Sequence, residues 1–136
     1  MTRNEWKGEM TFLATTSTGH QIVLDASSDS GGRSLGPSPK ELLLVSLSGC
    51  TGMDVVSILR KMKVEGYTFR MEVIPHSTEQ HPKIYDKILL KYIFHFEGEP
   101  PKDKVEKAIQ LSQERYCGVS AMLKESSELH FEIEYE

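Results

Sequence analysis

Two short strand-like runs, Thr11-Phe12-Leu13-Ala14 and Gln21-Ile22-Val23-Leu24, flank the segment from Thr15 to His20, where Gly19 is the turn former. This pattern predicts a β-hairpin. Residues 26–37 are dense in Ser, Asp, Gly and Pro and predict a loop. Ser38-Pro39-Lys40-Glu41 then places Ser at the N-cap, Pro at the first helical position and Glu at the third, which is a capping box. The Ser38 hydroxyl is suited to take an orphan backbone N–H, and Glu41 to reach back to the cap at the positive end of the helix dipole. The helix is predicted from Pro39 to about Lys63, close to Gly66. Leu42, Leu43, Leu44, Val45 and Leu47 cover every direction around its axis, the pattern of a helix surrounded by protein. About 25 residues at ~1.5 Å each give a rod of ~37 Å. One chain of 136 residues has too little material to enclose it, so a second subunit is expected on part of its surface.

Thr68 to Ile74 alternates with period two, and Ile88, Leu90, Tyr92, Phe94 and Phe96 alternate within residues 84–96, predicting two more strands. Pro75, His76 and Pro82 punctuate the loop between them. Pro100-Pro101 opens a second helix with Val105, Ala108, Ile109 and Leu111 as its buried stripe, ending near Tyr116. Gly118 to Lys124 predicts a further helical turn or two, and His130 to Tyr135 a closing strand. The expected order is β-β-α-β-β-α-(α)-β: an α+β fold, antiparallel strands packed on a long central helix, in one domain spanning residues 1–136.

Composition narrows the function classes. A net charge of −4 is the wrong sign for broad nucleic-acid binding, and Arg60-Lys61-Met62-Lys63 reads as the solvated end of a helix. With 38% hydrophobic and 26% charged residues, neither a disordered chain nor a membrane protein is indicated. Residues 1–8 lack the apolar core of a signal peptide, and the longest charge-free stretch, Leu42 to Met53, is too short for a bilayer. The expected location is cytoplasmic, and there the two cysteines, Cys50 and Cys117, are two free thiols or one redox pair rather than a permanent disulfide.

The run Ser46-Leu47-Ser48-Gly49-Cys50-Thr51-Gly52 is locally wrong for the helix that contains it, each Gly costing about 1 kcal/mol against Ala. Close approach of another backbone or of a ligand is the usual offset. Cys50 is therefore either a small filler in a tight helix crossing or a reactive thiol in a small-residue pocket. Asp54 lies one turn on, on the same face, as a structural carboxylate or as a group that raises the thiol pKa. Cys117 directly precedes the predicted helix at 118–124. There it is a cap or core thiol, or a thiol whose thiolate the helix N-terminus favours. CxxC and HExxH patterns are absent, the five histidines have no ligand spacing, and Gly31-Gly32 lacks the rest of a phosphate loop. No metal or bound cofactor is expected.

Gly36-Pro37-Ser38-Pro39-Lys40-Glu41-Leu42-Leu43-Leu44, Gly49-Cys50, Asp54-Val55-Val56 and Tyr116-Cys117-Gly118-Val119 together resemble the family of osmotically inducible protein C and the organic hydroperoxide resistance proteins (OsmC/Ohr). The likeness runs over nearly the whole chain, in the same element order. It implies an OsmC-like, intertwined homodimer with active sites at the subunit interface. It also implies a peroxiredoxin-like thiol peroxidase that reduces small organic hydroperoxides in oxidative-stress defence. Carried over residue by residue, Cys50 becomes the peroxidatic cysteine and Cys117 the resolving one, with an external dithiol as reductant. Glu41 becomes the active-site carboxylate, and Ser46, Gly49, Asp54 and Tyr116 line the substrate pocket. Nine residues along a helix is ~13.5 Å and about half a turn out of phase, so Glu41 is expected to meet Cys50 only across a two-fold axis.

The family's peroxidases hold the thiolate with an Arg from the first hairpin. This chain has none between Arg3 and Arg33. Gly19-His20 stands at the corresponding turn, which makes His20 the candidate donor and Arg3 a second. Lys40 also replaces a residue that is often acidic. No nucleic-acid or membrane partner is implied. The pairing of Cys50 with Cys117 favours the enzyme. The absent Arg favours a non-catalytic dimer whose cleft of Leu, Met and Tyr116 binds an apolar small molecule or lipid, or a stress-associated dimer without turnover.

Overall fold

The computed structural model describes residues 1–136 and divides into two units, Met1–Val45 and Ser46–Glu136. In the first, β1 (Arg3–Trp6), β2 (Phe12–Thr15) and β3 (Gln21–Leu24) form an antiparallel meander in that order. The predicted hairpin is β2–β3, closed by Thr16 N–H to His20 O at 2.9 Å, with Gly19 at φ 87° in the turn. β1 is an additional strand. Arg3-Asn4-Glu5-Trp6 is exposed along its whole length and carries no alternation, so only its pairing with β2 makes it a strand. The following loop is tied together by Asp25, which is 2% exposed. Its carboxylate accepts the N–H of Ala26 at 2.8 Å, the N–H of Leu35 at 3.3 Å and the Thr11 hydroxyl at 3.1 Å.

Helix α1 (Pro39–Lys61) begins at the predicted box, wired differently. Glu41 accepts the Ser38 N–H at 2.7 Å, and the Ser38 hydroxyl donates to the same carboxylate oxygen at 3.0 Å. A charged acceptor within reach outcompetes the role of the hydroxyl as a cap acceptor. The helix ends two residues short of the expected Lys63 in a Schellman turn: Lys63 adopts φ 60°, Lys63 N–H bonds Arg60 O at 3.0 Å, and Val64 N–H bonds Leu59 O at 2.9 Å. Val64 and Leu59, the hydrophobic pair of that motif, are both buried.

In the second unit, β4 (Tyr67–Ser77) and β5 (Tyr85–Phe96) pair antiparallel, from Tyr67↔Phe96 to Ser77↔Tyr85. α2 (Lys102–Leu111), a π-helical turn (Ser112–Tyr116) and α3 (Gly118–Leu123) lead to β6 (Glu128–Tyr135). β6 pairs parallel to β5, Lys87↔Glu128 through Phe94↔Tyr135, which corrects the all-antiparallel expectation. The connection through α2 and α3 is long enough to return the chain to the starting edge before the last strand begins. The fold is α+β with two three-stranded sheets.

The core is the row Leu47, Thr51, Val55 and Leu59 of α1, together with Ile88, Leu90, Tyr92 and Phe94 of β5 and Val105, Ala108 and Ile109 of α2. By length and mean hydropathy (1.8) α1 could cross a bilayer, but this row is buried in protein. Only that row is fully buried: Leu43, Val45 and Met53 stay 44%, 61% and 76% exposed. The glycines answer the same way. A Cβ on Gly52 would meet Met71 Sδ at an ordinary 3.5 Å, and one on Gly49 would meet nothing within 4 Å. No close approach within the chain offsets the helical cost of either glycine.

The two bonds to Glu41 hold its carboxyl below the ordinary 4.5, the Ser38 N–H first and the hydroxyl second. A depressed folded pKa adds stability that is complete above the unfolded pKa and fades as pH falls through the folded value. In thermal melts, Glu41→Gln should therefore lower Tm by a constant amount above about pH 5, with the gap closing below about pH 4.

Candidate active site

Cys50 and Asp54 sit one helical turn apart on α1, both half-buried, and Cys117 lies at the N-cap of α3, 3% exposed. The two sulfurs and the nearest Asp54 oxygen all fall within 4.8 Å of one another. One chain supplies all three groups.

The π turn delivers Cys117. α2 widens after Leu111, and the turn closes with Cys117 N–H to Ser112 O at 2.8 Å. Single wide turns of this kind are rare and concentrate at functional sites. Here it leaves Ser112 and Gln113, adjacent in sequence, both buried.

Those two residues join a chain of buried hydroxyls whose protons can be assigned by counting. The Ser112 hydroxyl donates its one proton to Asp54 Oδ2 at 2.9 Å. Its 2.8 Å contact with Thr51 Oγ1 must then be donated by Thr51. The 2.6 Å contact between Thr51 and Tyr92 Oη must in turn be donated by Tyr92. Gln113 Nε2 closes the set, donating to Tyr92 Oη at 2.8 Å and to Thr51 Oγ1 at 3.2 Å. The direction runs Gln113 → Tyr92 → Thr51 → Ser112 → Asp54, and Thr51 uses its proton and both lone pairs. Burial pushes the Tyr92 phenol up, so it keeps the proton this order requires. Lys124 Nζ fixes the donor end through Gln113 O at 2.6 Å.

The Cys117 thiol departs from expectation. Its sulfur does accept the Ser120 N–H at 3.3 Å as the cap of α3. Burial nevertheless dominates and pushes the thiol up, and the neighbouring Cys50 adds to that; the Ser120 N–H and hydroxyl pull the other way. α3 has only six residues, too few for its terminus to reverse the cost of burial. The Ser120 hydroxyl is itself fully buried and completes no hydrogen bond of ordinary geometry.

The remaining expected residues have the following surroundings. Glu41 is the capping carboxylate at the start of α1, and His20 is exposed, its Nδ1 2.9 Å from Thr18 Oγ1. Ser46 is exposed on α1. Tyr116 is 57% exposed, with the Arg115 guanidinium 6.0 Å from its ring centre. It shares a cavity of about 410 Å³ with Asp54, Ile58 and Leu111. Gly49 lines a more open groove of about 540 Å³ with Gly52, Met53, Val56, Phe69 and Met71. Thr51, Tyr92, Ser112, Gln113 and Ser120 were not singled out from the sequence, because a helix predicted straight through to Tyr116 gives no reason for Ser112 and Gln113 to turn inward together.

The family model for OsmC-like proteins matches residues 30–132. The protein YhfA of Escherichia coli K12 is 35% identical over 125 residues, 91% of this chain and 89% of that one. A crystal structure of a protein from Aquifex aeolicus VF5 is 36% identical and superposes with a TM-score of 0.81 over 100% of this chain and 96% of its own. The organic hydroperoxide resistance protein OsmC of Legionella pneumophila superposes with a TM-score of 0.68 at 16% identity, over 98% and 96% of the two chains, and so shares the fold.

Thr51→Val keeps shape and volume but leaves the Tyr92 hydroxyl proton without its acceptor and Ser112 Oγ without one of its donors. It should cost about 1–3 kcal/mol in urea denaturation, more than a surface Thr→Val.

Proposed function

The chain belongs to the OsmC-like protein family, and we propose that it is a thiol-dependent peroxidase for organic hydroperoxides. The observation that carries this reading is the Cys50–Cys117 pair, two sulfurs remote in sequence and within 4.8 Å in space. Relatives of the same fold are described as hydroperoxide resistance proteins.

In the first step Cys50, the more exposed thiol, attacks the distal peroxide oxygen. The O–O bond breaks, Cys50 becomes a sulfenic acid, and the alkoxide leaves as the alcohol with the thiol proton. In the second step Cys117 attacks the sulfenic sulfur and a disulfide forms. Hydroxide departs as water with the Cys117 proton, for which the Asp54 carboxylate is the adjacent carrier. An external dithiol then reduces the disulfide. Burial suits Cys117 to this order, since a thiol held protonated does not compete for peroxide. Two sulfurs this close need only side-chain rotation to reach bonding distance.

The open face of α1 and the groove beside it favour a second copy as their cover, which makes the working form a homodimer. The same groove, apolar and about 540 Å³, also suits an apolar ligand, the second reading.

With cumene hydroperoxide and a dithiol, Cys50→Ser should abolish turnover. With the dithiol left out, Cys117→Ser should consume about one equivalent and leave a dimedone-reactive sulfenic acid. Turnover by Cys50→Ser at the wild-type rate would exclude the proposal. Met53→Asp should convert the dimer to a monomer in sedimentation at micromolar concentration. A wild-type monomer there leaves the groove to the ligand.

A further inference from the structure

We infer that Cys50, Cys117 and Asp54 form a binding site for a thiophilic divalent cation of the zinc class, held by two thiolates and one carboxylate with a fourth position open. This inference does not rest on the peroxidase reading and stands if that reading fails.

The ligand set is the first support. Thiolate sulfur with a carboxylate oxygen suits zinc, and three protein ligands with a fourth position left to water is the pattern of an open rather than a closed structural site. Around zinc, with Zn–S near 2.3 Å and Zn–O near 2.1 Å, tetrahedral ligands stand ~3.6–3.8 Å apart. The three groups are already within 4.8 Å, so each pair has to close by about an ångström at most, within the swing of their χ1 torsions.

The surroundings are the second support. Metal ligands are generally oriented by an outer ring of hydrogen bonds. Asp54 has one: Ser112 engages Oδ2 at the end of a buried chain that supplies donors only, so the carboxylate is addressed as an anion. Cys117 has one in the Ser120 N–H, and the buried Ser120 hydroxyl beside it completes no hydrogen bond of ordinary geometry, a donor available to a thiolate that gains charge. The protein's hydrogen bond to Asp54 comes from a neutral hydroxyl, not from a Lys or Arg, although Lys61 lines the cavity that Asp54 faces. Cys50 is half-buried, which leaves an approach for the ion and for a water in the fourth position.

Binding converts two thiols to thiolates and releases two protons per ion to the buffer. The disulfide uses the same two sulfurs, so the metal-bound and oxidised forms exclude one another. Zinc would thus hold the thiol pair reduced and withhold Cys50 from peroxide.

The test adds Co2+ and then Zn2+ to the reduced, metal-stripped chain. The expected result is one ion per chain with a thiolate-to-cobalt charge-transfer band, bleached by Zn2+, and about two protons released per ion in weak buffer. Cys50→Ser and Cys117→Ser should each abolish the band, Asp54→Asn should weaken binding about tenfold or more, and Ser112→Ala should weaken it less. Protein oxidised to the disulfide should bind none. Circular dichroism of each variant verifies that the fold persists, and Cys50→Ser, at a half-exposed position, is the variant least able to disturb it. Absence of the band in the reduced wild type, or a band that survives Cys50→Ser or Asp54→Asn unchanged, overturns the inference. Peroxide turnover, measured separately on metal-free protein, reports on the peroxidase alone.

Discussion

The hydroxyl of Thr51 is the junction on which the site depends. It is fully buried, and through it α1 reaches Tyr92 on β5 and Ser112 and Gln113 on the π turn. Its single proton and two lone pairs are all committed, so the three elements are held in one relative register rather than merely packed. An apolar contact at this point would tolerate a small slip of α1 along the sheet. A saturated, fully buried hydroxyl does not, because any slip leaves several polar groups unsatisfied at once. The placement of Asp54 and Cys117 follows from that register.

Much of the architecture was legible because it rests on local rules. The capping box fixed where α1 starts, period two marked β4 and β5, and the stripe Val105, Ala108, Ile109 marked α2. β1 was illegible because its residues are exposed and its only reason to extend is the strand beside it. The direction of β6 was illegible too, since a strand's own sequence does not say which way its neighbour runs. Of the site, spacing put Cys50 and Asp54 on one helix face, whereas the pairing of Cys50 with Cys117 came only with the resemblance to the OsmC/Ohr family. The hydroxyl chain could not be read, because the widened turn that gathers it has no sequence signature of its own.

The direction in which the Cys117 thiol moves teaches the same lesson in energetic terms. Sequence position assigned it to a helix start, where a thiolate is favoured, and that placement is correct. What sequence position does not carry is depth. At 3% exposure the loss of hydration outweighs one N–H donor and a six-residue helix. The half-exposed Cys50 and the buried Cys117 are therefore unequal partners, one reachable from solvent and one not.

The sulfur of Cys117 has a second occupation, as the cap of α3. A sulfur drawn into a new bond is a poorer acceptor for the Ser120 N–H, and a helix of six residues has little else to hold its first turn. A new bond at the Cys117 sulfur would therefore weaken the cap of α3, whose Met122 is 68% exposed. Were the two sulfurs joined, that short helix would be the place where an internal covalent change touched the outside.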